Sequence, residues 1–345
     1  MCESIKIDIK TMGIKNLNTY IKKKCSSSSI QTRNLFEYRN KKIVVDASIY
    51  LYKYSVDNEL IENMYTMITI FRKYNIFPVF VFDGKPCEDK QEIINKRKEE
   101  RWYSKQQYSE LLKEIESNKE LKKKYEIKLE LEKLKRKSVK ITRGDIGSVK
   151  ELLTAYGIPF IVSPEEADGL CAYMVLYGIV DACLSDDTDM FMYNCSVVLQ
   201  NINLVNETVL EYNTNSIFHE LNITNNEFVD MMVLKGTDYN ICNNLEIGEV
   251  FNTYNMYKKE NTNIDFYNWL INKNKYEMEI SELEKTKSIF NIDKDRYSDI
   301  IKNSDLSLKN IDIERLNKCL TNNGFIIAKR IKNYHYNPQF QYVLN

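Results

Sequence analysis

Histidine is nearly absent from this sequence. The 345 residues include only His219 and His335, which are far apart and have no nucleophile nearby. Each is expected to be a surface or packing residue. Histidine-based catalysis is therefore a poor explanation for any activity of this chain.

Paired cysteines and long apolar runs are missing as well. The eight cysteines form no CxxC pair, which argues against a zinc site, and Cys171 and Cys183 lie within apolar runs, as free thiols of a reducing compartment do. No apolar run could span a bilayer, and the first residues lack a signal-peptide core. The expectation is an intracellular, soluble protein without a membrane partner.

The chain also has no net charge, because its 49 basic residues are balanced by 49 acidic ones. Nucleic-acid binding therefore needs a local patch, and residues 88–143 supply one. This segment holds 14 Lys and 4 Arg against 12 acids, with no Gly or Pro, and its broken apolar pattern predicts two or more exposed helices. Two interpretations stay open: a solvated charged hairpin, or a cationic arm over an acidic site that grips phosphates.

Acids follow each of four short apolar runs. Such runs, separated by helical segments, predict a parallel α/β sheet. The carboxyl ends of parallel strands share one edge, so their acids should converge there. Oxygen ligands of this kind suit Mg²⁺ or Mn²⁺. The acids expected to converge are Asp46, Asp83, the pair Glu166 and Asp168, and the pair Asp187 and Asp189.

Helix capping is the alternative explanation for these acids, since Asp is favoured at helix N-termini. The run Ser163-Pro164-Glu165-Glu166 also has the pattern of a capping box with Pro at the first helical position. Capping explains one acidic cluster but not four. Residues two apart do not share a helix face, so the paired acids can converge only on the turns themselves.

Six short motifs occur in order along the chain. They are Met12-Gly-Ile14, Val45-Asp-Ala-Ser48, Val81-Phe-Asp-Gly-Lys-Pro86 with Lys90 and Arg97 behind it, Pro164-Glu-Glu-Ala-Asp168, Ser185-Asp-Asp-Thr-Asp189 and Gly236-Thr-Asp238. In their order and spacing these motifs resemble those of the flap endonuclease (XPG-type) family of 5′ nucleases. The likeness runs from residue 12 to about 240 and continues more loosely to about 333.

The resemblance implies a PIN-like parallel sheet flanked by helices, with a basic helical arch inserted and a helical C-terminal region. It also implies structure-specific 5′ hydrolysis of branched, nicked or gapped DNA in replication, repair or recombination, with 5′-3′ exonuclease action as the nearest variant. The expected cofactor is a pair of Mg²⁺ ions, with Mn²⁺ as a substitute. The expected divisions are an extension (1–11), the first nuclease part (12–87), the arm (88–143), the remaining core (144–240) and the C-terminal region (241–345).

The family's functional residues carry over position by position. Lys90 and Arg97 match basic residues that contact the scissile phosphate. Tyr52 matches an aromatic that stacks on a terminal base, although core packing explains it equally well. Lys122, Lys123 and Lys124 match no family position, but the basic charge of the arm predicts that they bind DNA. Asp186 is not expected to be a ligand. The implied metal ligands or their immediate support are Asp46, Asp83, Glu166, Asp168, Asp187, Asp189 and Asp238.

The chain departs from the family pattern in several places. Eleven residues precede Met12, so either translation begins there or the extension must be routed away from the site. Cys87 stands where the family has a second Pro. The segment after Asp238 lacks the Gly-Ile-Gly turn that holds duplex, and Glu246 and Glu249 would repel phosphate there.

The family resemblance also bears on the partners and the cellular location of the chain. The C-terminal residues 339–345 lack a sliding-clamp motif, and the chain is expected to be a monomer. Its divergence is similar to that of nucleases from large DNA viruses, so the expected location is the nucleus or a cytoplasmic viral replication site. Two other functions remain open: a DNA-binding scaffold with weak or vestigial catalysis, and a PIN-type nuclease of single-stranded RNA, which would lack the long basic insertion.

Overall fold

One seven-stranded sheet carries the acidic residues. The computed structural model describes residues 13–85, 91–117, 125–240, 245–273 and 279–326. The strands lie side by side in the order β1-β7-β6-β5-β2-β3-β4. They are β1 (Ile30–Asn34), β2 (Lys42–Asp46), β3 (Phe77–Phe82), β4 (Phe160–Val162), β5 (Ala182–Leu184), β6 (Val197–Asn203) and β7 (Thr208–Asn213).

The centre of the sheet is parallel and buried on both faces. Strands β4, β3, β2, β5 and β6 run in one direction, whereas β7 and β1 are antiparallel to their neighbours. Along β2, Val44 packs into one apolar cluster while Ile43 and Val45 pack into the other. This alternation is the reason the run is apolar at every position, since neighbouring side chains point to opposite faces.

Helices cover both faces of the sheet. In the first half they are α1 (Leu17–Lys24), α2 (Ala47–Ser55), α3 (Leu60–Lys73), α4 (Gln91–Ser117), α5 (Tyr125–Ser138), α6 (Arg143–Ala155), α7 (Ala167–Leu176) and α8 (Asp189–Met192). In the second half they are α9 (Thr214–Leu221), α10 (Asn225–Lys235), α11 (Ile247–Glu260), α12 (Phe266–Asn272), α13 (Ile280–Ile289), α14 (Ser298–Lys302) and α15 (Ile313–Asn322). Helices α4 and α5 pack on each other and form the described part of the arm.

The predicted parallel α/β sheet with an inserted helical arm and a helical C-terminal region is confirmed. Strands β1, β6 and β7 were not predicted, because polar residues such as Gln200 and Glu211 interrupt their apolar pattern. Gln200 is nevertheless buried. Across the described ranges, no helix combines the length and the apolar character needed to cross a membrane.

Candidate active site

Asp46 lies at the centre of the acidic edge. It is the last residue of β2 and is 2% exposed. Its carboxylate accepts hydrogen bonds from the Ser185 hydroxyl at 2.9 Å and from the Ser48 backbone N–H at 3.1 Å. Burial first, and then the neighbouring Asp83 carboxylate, raise the pKa of Asp46 well above its usual range. Asp46 therefore sits in a crowd of carboxylates that positive charge would stabilise.

Asp83 follows β3 and joins the turn before α7. Its carboxylate accepts a hydrogen bond from the Ala167 backbone N–H at 2.8 Å and another from the Ser48 hydroxyl. Glu166 is the N-cap residue of α7, and Asp168 lies in the first turn. The turn thus brings Glu166 and Asp168 to the edge of the sheet where Asp83 lies.

The capping box considered for residues 163–166 is wrong. Helix α7 begins at Ala167, and the side chain of its N-cap residue Glu166 makes no capping hydrogen bond. The Ser163 hydroxyl instead donates to the Glu166 carbonyl at 2.9 Å. The Glu166 carboxylate accepts a hydrogen bond from the Tyr239 hydroxyl at 2.7 Å.

Asp187 and Asp189 follow β5 and converge on Gly13. Both are buried, and the Asp189 backbone N–H donates to Asp187 Oδ1 at 2.9 Å. Gly13 has φ +77°, and a Cβ there would collide with Asp187 Oδ1 and lie 2.6 Å from Asp189 Oδ1. The Ile14 backbone N–H donates to the Thr188 hydroxyl at 2.7 Å. The first described residues are therefore fastened directly against these two acids.

Asp186 points elsewhere. Its carboxylate pairs with the Lys53 ammonium at 2.8 Å and accepts a hydrogen bond from the Asn201 backbone N–H at 2.6 Å. Both partners tie it to α2 and β6. This arrangement gives Asp186 a structural role that differs from that of Asp187 beside it.

Arg97 brings the arm to the same edge. Its guanidinium donates to the Asp238 carboxylate, which follows α10. Burial alone would lower the pKa of Arg97, but the carboxylates of Asp238, Asp187 and Glu166 outweigh it and raise that pKa. The guanidinium thus remains charged in the field of acids from three different elements.

Tyr52 is 37% exposed and accepts a hydrogen bond from an Arg101 guanidinium nitrogen at 3.3 Å. It lies on α2 beneath the arm, so core packing does not account for it. Lys90 and the three lysines 122–124 fall outside the described residues.

The chemistry of the donor set suits a hard divalent cation, because the converging ligands are carboxylate oxygens. Among the described residues, however, no three Asp, Glu, His or Cys side chains already form a metal-binding group. Several of the acids instead hold protein donors, as Asp83 and Asp238 do. The described cysteines are free thiols. The carboxylates are therefore identified as candidate metal ligands by their oxygen donors and by their convergence on one sheet edge.

Supporting residues were missed in the sequence. Ser48 and Ser185 orient Asp46 and Asp83, Thr188 fastens the backbone of Ile14, and Tyr239 orients Glu166. Each lies one or two residues from an acid, and that proximity is the only signal available in the sequence. Their partners are more than 30 residues away in most cases, so local patterns could not reveal them.

Known proteins match this chain across both parts of the site. The sequence matches the XPG N-terminal domain over residues 12–104 and the XPG I-region over residues 157–238. Flap endonuclease 1 of Encephalitozoon cuniculi is 32% identical over 253 residues, which are 68% of this chain and 69% of that protein. The probable RAD2-like endonuclease 369L of Invertebrate iridescent virus 6 is 29% identical over 66% of this chain and 67% of its own length.

Solved structures share the fold. The catalytic core of Rad2 superposes with a TM-score of 0.58 at 21% identity and covers 90% of this chain and 94% of its own. Flap endonuclease-1 from Methanococcus jannaschii gives a TM-score of 0.58 at 21% identity, over 85% of this chain and 90% of its own. Both likenesses therefore extend beyond the sheet to most of the chain.

Proposed function

The chain belongs to the XPG-type family of flap endonucleases, and on that premise we propose that it is a Mg²⁺-dependent, structure-specific 5′ nuclease of DNA. The observation that carries the proposal is the convergence of buried carboxylates at one sheet edge, facing a guanidinium from the basic arm. A DNA-binding scaffold would gain nothing from acids that repel phosphate. A cationic arm beside a metal-loaded acidic edge suits phosphodiester hydrolysis.

The acids would hold the metal. Two bound divalent ions would supply an activated water and would stabilise the leaving oxygen. Burial favours this role, because buried carboxylates that repel one another gain stability when a cation neutralises them. Mn²⁺ offers the same hard-ion chemistry and should substitute. The residues proposed to hold or support the ions are Asp46, Asp83, Glu166, Asp168, Asp187, Asp189 and Asp238.

Arg97 would stabilise charge on the scissile phosphate. Its ion pair with Asp238 is partly exposed to solvent, and such pairs contribute only about 0 to 1 kcal/mol. Arg97 can therefore exchange this carboxylate for a phosphate at little cost once substrate and metal are bound. Lys90 is proposed to contact the same phosphate, and Tyr52 is proposed to stack on the terminal base.

The segment after Asp238 favours a weak grip on duplex. The N-terminus of α11 would normally attract a phosphate. Here Glu246 is its N-cap, and the Glu249 carboxylate accepts the Glu246 backbone N–H at 3.0 Å. Two carboxylates at this helix end would repel the DNA backbone. We therefore propose that recognition depends more on the arm and on unpaired DNA than on this element.

Metal dependence is the direct test of this function. We expect the purified chain to cleave 5′-flap, nicked or gapped DNA with Mg²⁺, and to bind without cleaving with Ca²⁺. Labelled substrates resolved on a denaturing gel would measure both the rate and the cut position. The proposal would be refuted if none of the three DNAs were cleaved in Mg²⁺. Tight binding in chelator together with that failure would favour the scaffold.

The arm should contribute to phosphate binding. Replacing Lys122, Lys123 and Lys124 with glutamine should weaken DNA binding and reduce the slope of log Kd against log salt by about 2 to 3, because each lost phosphate contact removes about 0.7 to 0.9. A matched triple replacement of Lys302, Lys309 and Lys318 changes the net charge equally and should leave the slope unchanged. An unaltered slope in the arm variant would mean that this segment is a solvated hairpin.

A further inference from the structure

Glu165 adjoins the proposed metal ligand Glu166 but has no part in the site described above. Its carboxylate is 53% exposed and pairs with the Arg296 guanidinium at 2.7 Å. Arg296 lies in the C-terminal region, between α13 and α14. The acid next to a metal ligand is thus occupied by a cation from a segment 131 residues away.

The segment that carries Arg296 is fastened along α7. We define the C-terminal strap as residues 292–297. The Tyr173 hydroxyl of α7 donates to the Lys294 carbonyl of the strap at 2.9 Å. One turn earlier, a Cβ at Gly169 would lie only 2.6 Å from the Tyr297 hydroxyl oxygen. Together with the ion pair, these contacts are spaced four residues apart along α7 and the turn before it, so the strap follows one face of the helix to the acidic edge.

A small cavity lies between the C-terminal strap and Glu166. Its volume is about 80 Å³, and the side chains of Arg296 and Glu166 both line it. Space of this size admits only a few water molecules. The Arg296 side chain is 32% exposed. A change of its rotamer can therefore carry the guanidinium across the cavity to the Glu166 carboxylate.

We infer that Glu165 is a positioning residue that holds the Arg296 guanidinium away from Glu166 and so keeps the Glu166 carboxylate available to a metal. The inference rests on the proposed function, in which Glu166 is a ligand. Carboxylates that repel one another are stabilised by any nearby cation, so the crowding that favours a metal also favours a guanidinium. Arginine competes well, because it can bind a carboxylate through two charge-assisted hydrogen bonds.

Loss of Glu165 would leave a mostly buried guanidinium without its partner. Such a group is stabilised by finding another acceptor, and Glu166 lies across the cavity. A metal would then have to displace Arg296 before it could bind Glu166. Glu165 therefore acts on the metal site through Arg296 and not by touching the metal.

Binding of Mn²⁺ to the full chain without DNA gives a direct test, with free Mn²⁺ measured by electron paramagnetic resonance. Glu165→Ala removes the acceptor and should weaken binding by about tenfold, the order expected when a metal must displace a charge-assisted hydrogen bond. Arg296→Gln removes the competitor and should bind Mn²⁺ within about twofold of the wild type. The double variant Glu165→Ala/Arg296→Gln should recover wild-type affinity.

The double variant separates this role from two simpler ones. If the ion pair only supported the fold, Arg296→Gln would weaken Mn²⁺ binding as much as Glu165→Ala does, and the double variant would not recover. If the charge of Glu165 acted only through space, Arg296→Gln would bind Mn²⁺ more tightly by the factor that Glu165→Ala loses. Either pattern would overturn the inference.

Glu151→Ala is the matched control. The Glu151 carboxylate is 45% exposed and pairs with the Arg315 guanidinium at 2.7 Å, between α6 and α15. Its loss frees a guanidinium that does not line the cavity, so the affinity for Mn²⁺ should stay the same. An equal loss of affinity in this variant would also overturn the inference. Because no DNA is cleaved in these measurements, their outcome is separate from the test of nuclease activity.

Discussion

Replacing Asp187 with asparagine is expected to lower the rate of Mg²⁺-dependent DNA cleavage by at least about a thousandfold, equivalent to about 4 kcal/mol of transition-state stabilisation. The variant keeps Oδ1, so the hydrogen bond from the Asp189 N–H can remain. What it loses is the negative charge proposed to hold a cation. Single-turnover cleavage of a 5′-flap substrate at saturating Mg²⁺ would measure this effect.

Asp186→Asn is the matched control for that variant. Asp186 is adjacent in sequence and carries the same charge, but it binds Lys53 and the Asn201 N–H. Its replacement should cost about 1 kcal/mol of unfolding free energy and change cleavage only a few-fold. Asp187→Asn should instead be at least as stable as the wild type in chelator, since it removes one of the buried charges that repel Asp46. Equal cleavage by Asp187→Asn and the wild type would exclude Asp187 as a ligand.

The central strands could be predicted because both of their faces are buried. A strand such as β2 then reads as an unbroken apolar run that stops at a polar residue, Asp46. The convergence of the acids could also be predicted, because the carboxyl ends of parallel strands lie at one edge of the sheet. The convergence of acids from four chain segments therefore followed from local patterns and one general rule.

The contacts that orient those acids could not be predicted in this way. Arg97 and Asp238 are 141 residues apart, and the bond from Ile14 to Thr188 spans 174. Nothing in the periodicity of either segment indicates its partner, because such contacts depend on how helices pack over the sheet. Strand β6 was missed for a related reason: Gln200 is polar in sequence but is buried where its side-chain NH₂ donates to the Asp187 carbonyl at 3.4 Å.

The second large effect on cleavage is expected from a substitution at Gly13. Replacing it with alanine should reduce cleavage by about a hundredfold, since displacements of about 1 Å at a catalytic group can cost that much. The new Cβ would collide with Asp187 Oδ1 and lie 2.5 Å from the Thr188 hydroxyl oxygen, so the acids or the backbone must move. Alanine at φ +77° adds strain of about 1 to 2 kcal/mol to the fold. Cleavage kinetics and thermal unfolding together would measure both effects.

Gly178→Ala separates the strain from the collision. Gly178 also has a positive φ, +66°, but a Cβ there would meet no atom within 4 Å. Its replacement should therefore cost a similar amount of stability while leaving cleavage unchanged. If the two alanine variants lost stability equally and both cleaved like the wild type, Gly13 would matter only for its backbone conformation. A selective loss of cleavage in Gly13→Ala would instead show that the missing side chain at residue 13 is what allows Asp187 and Asp189 to take their positions.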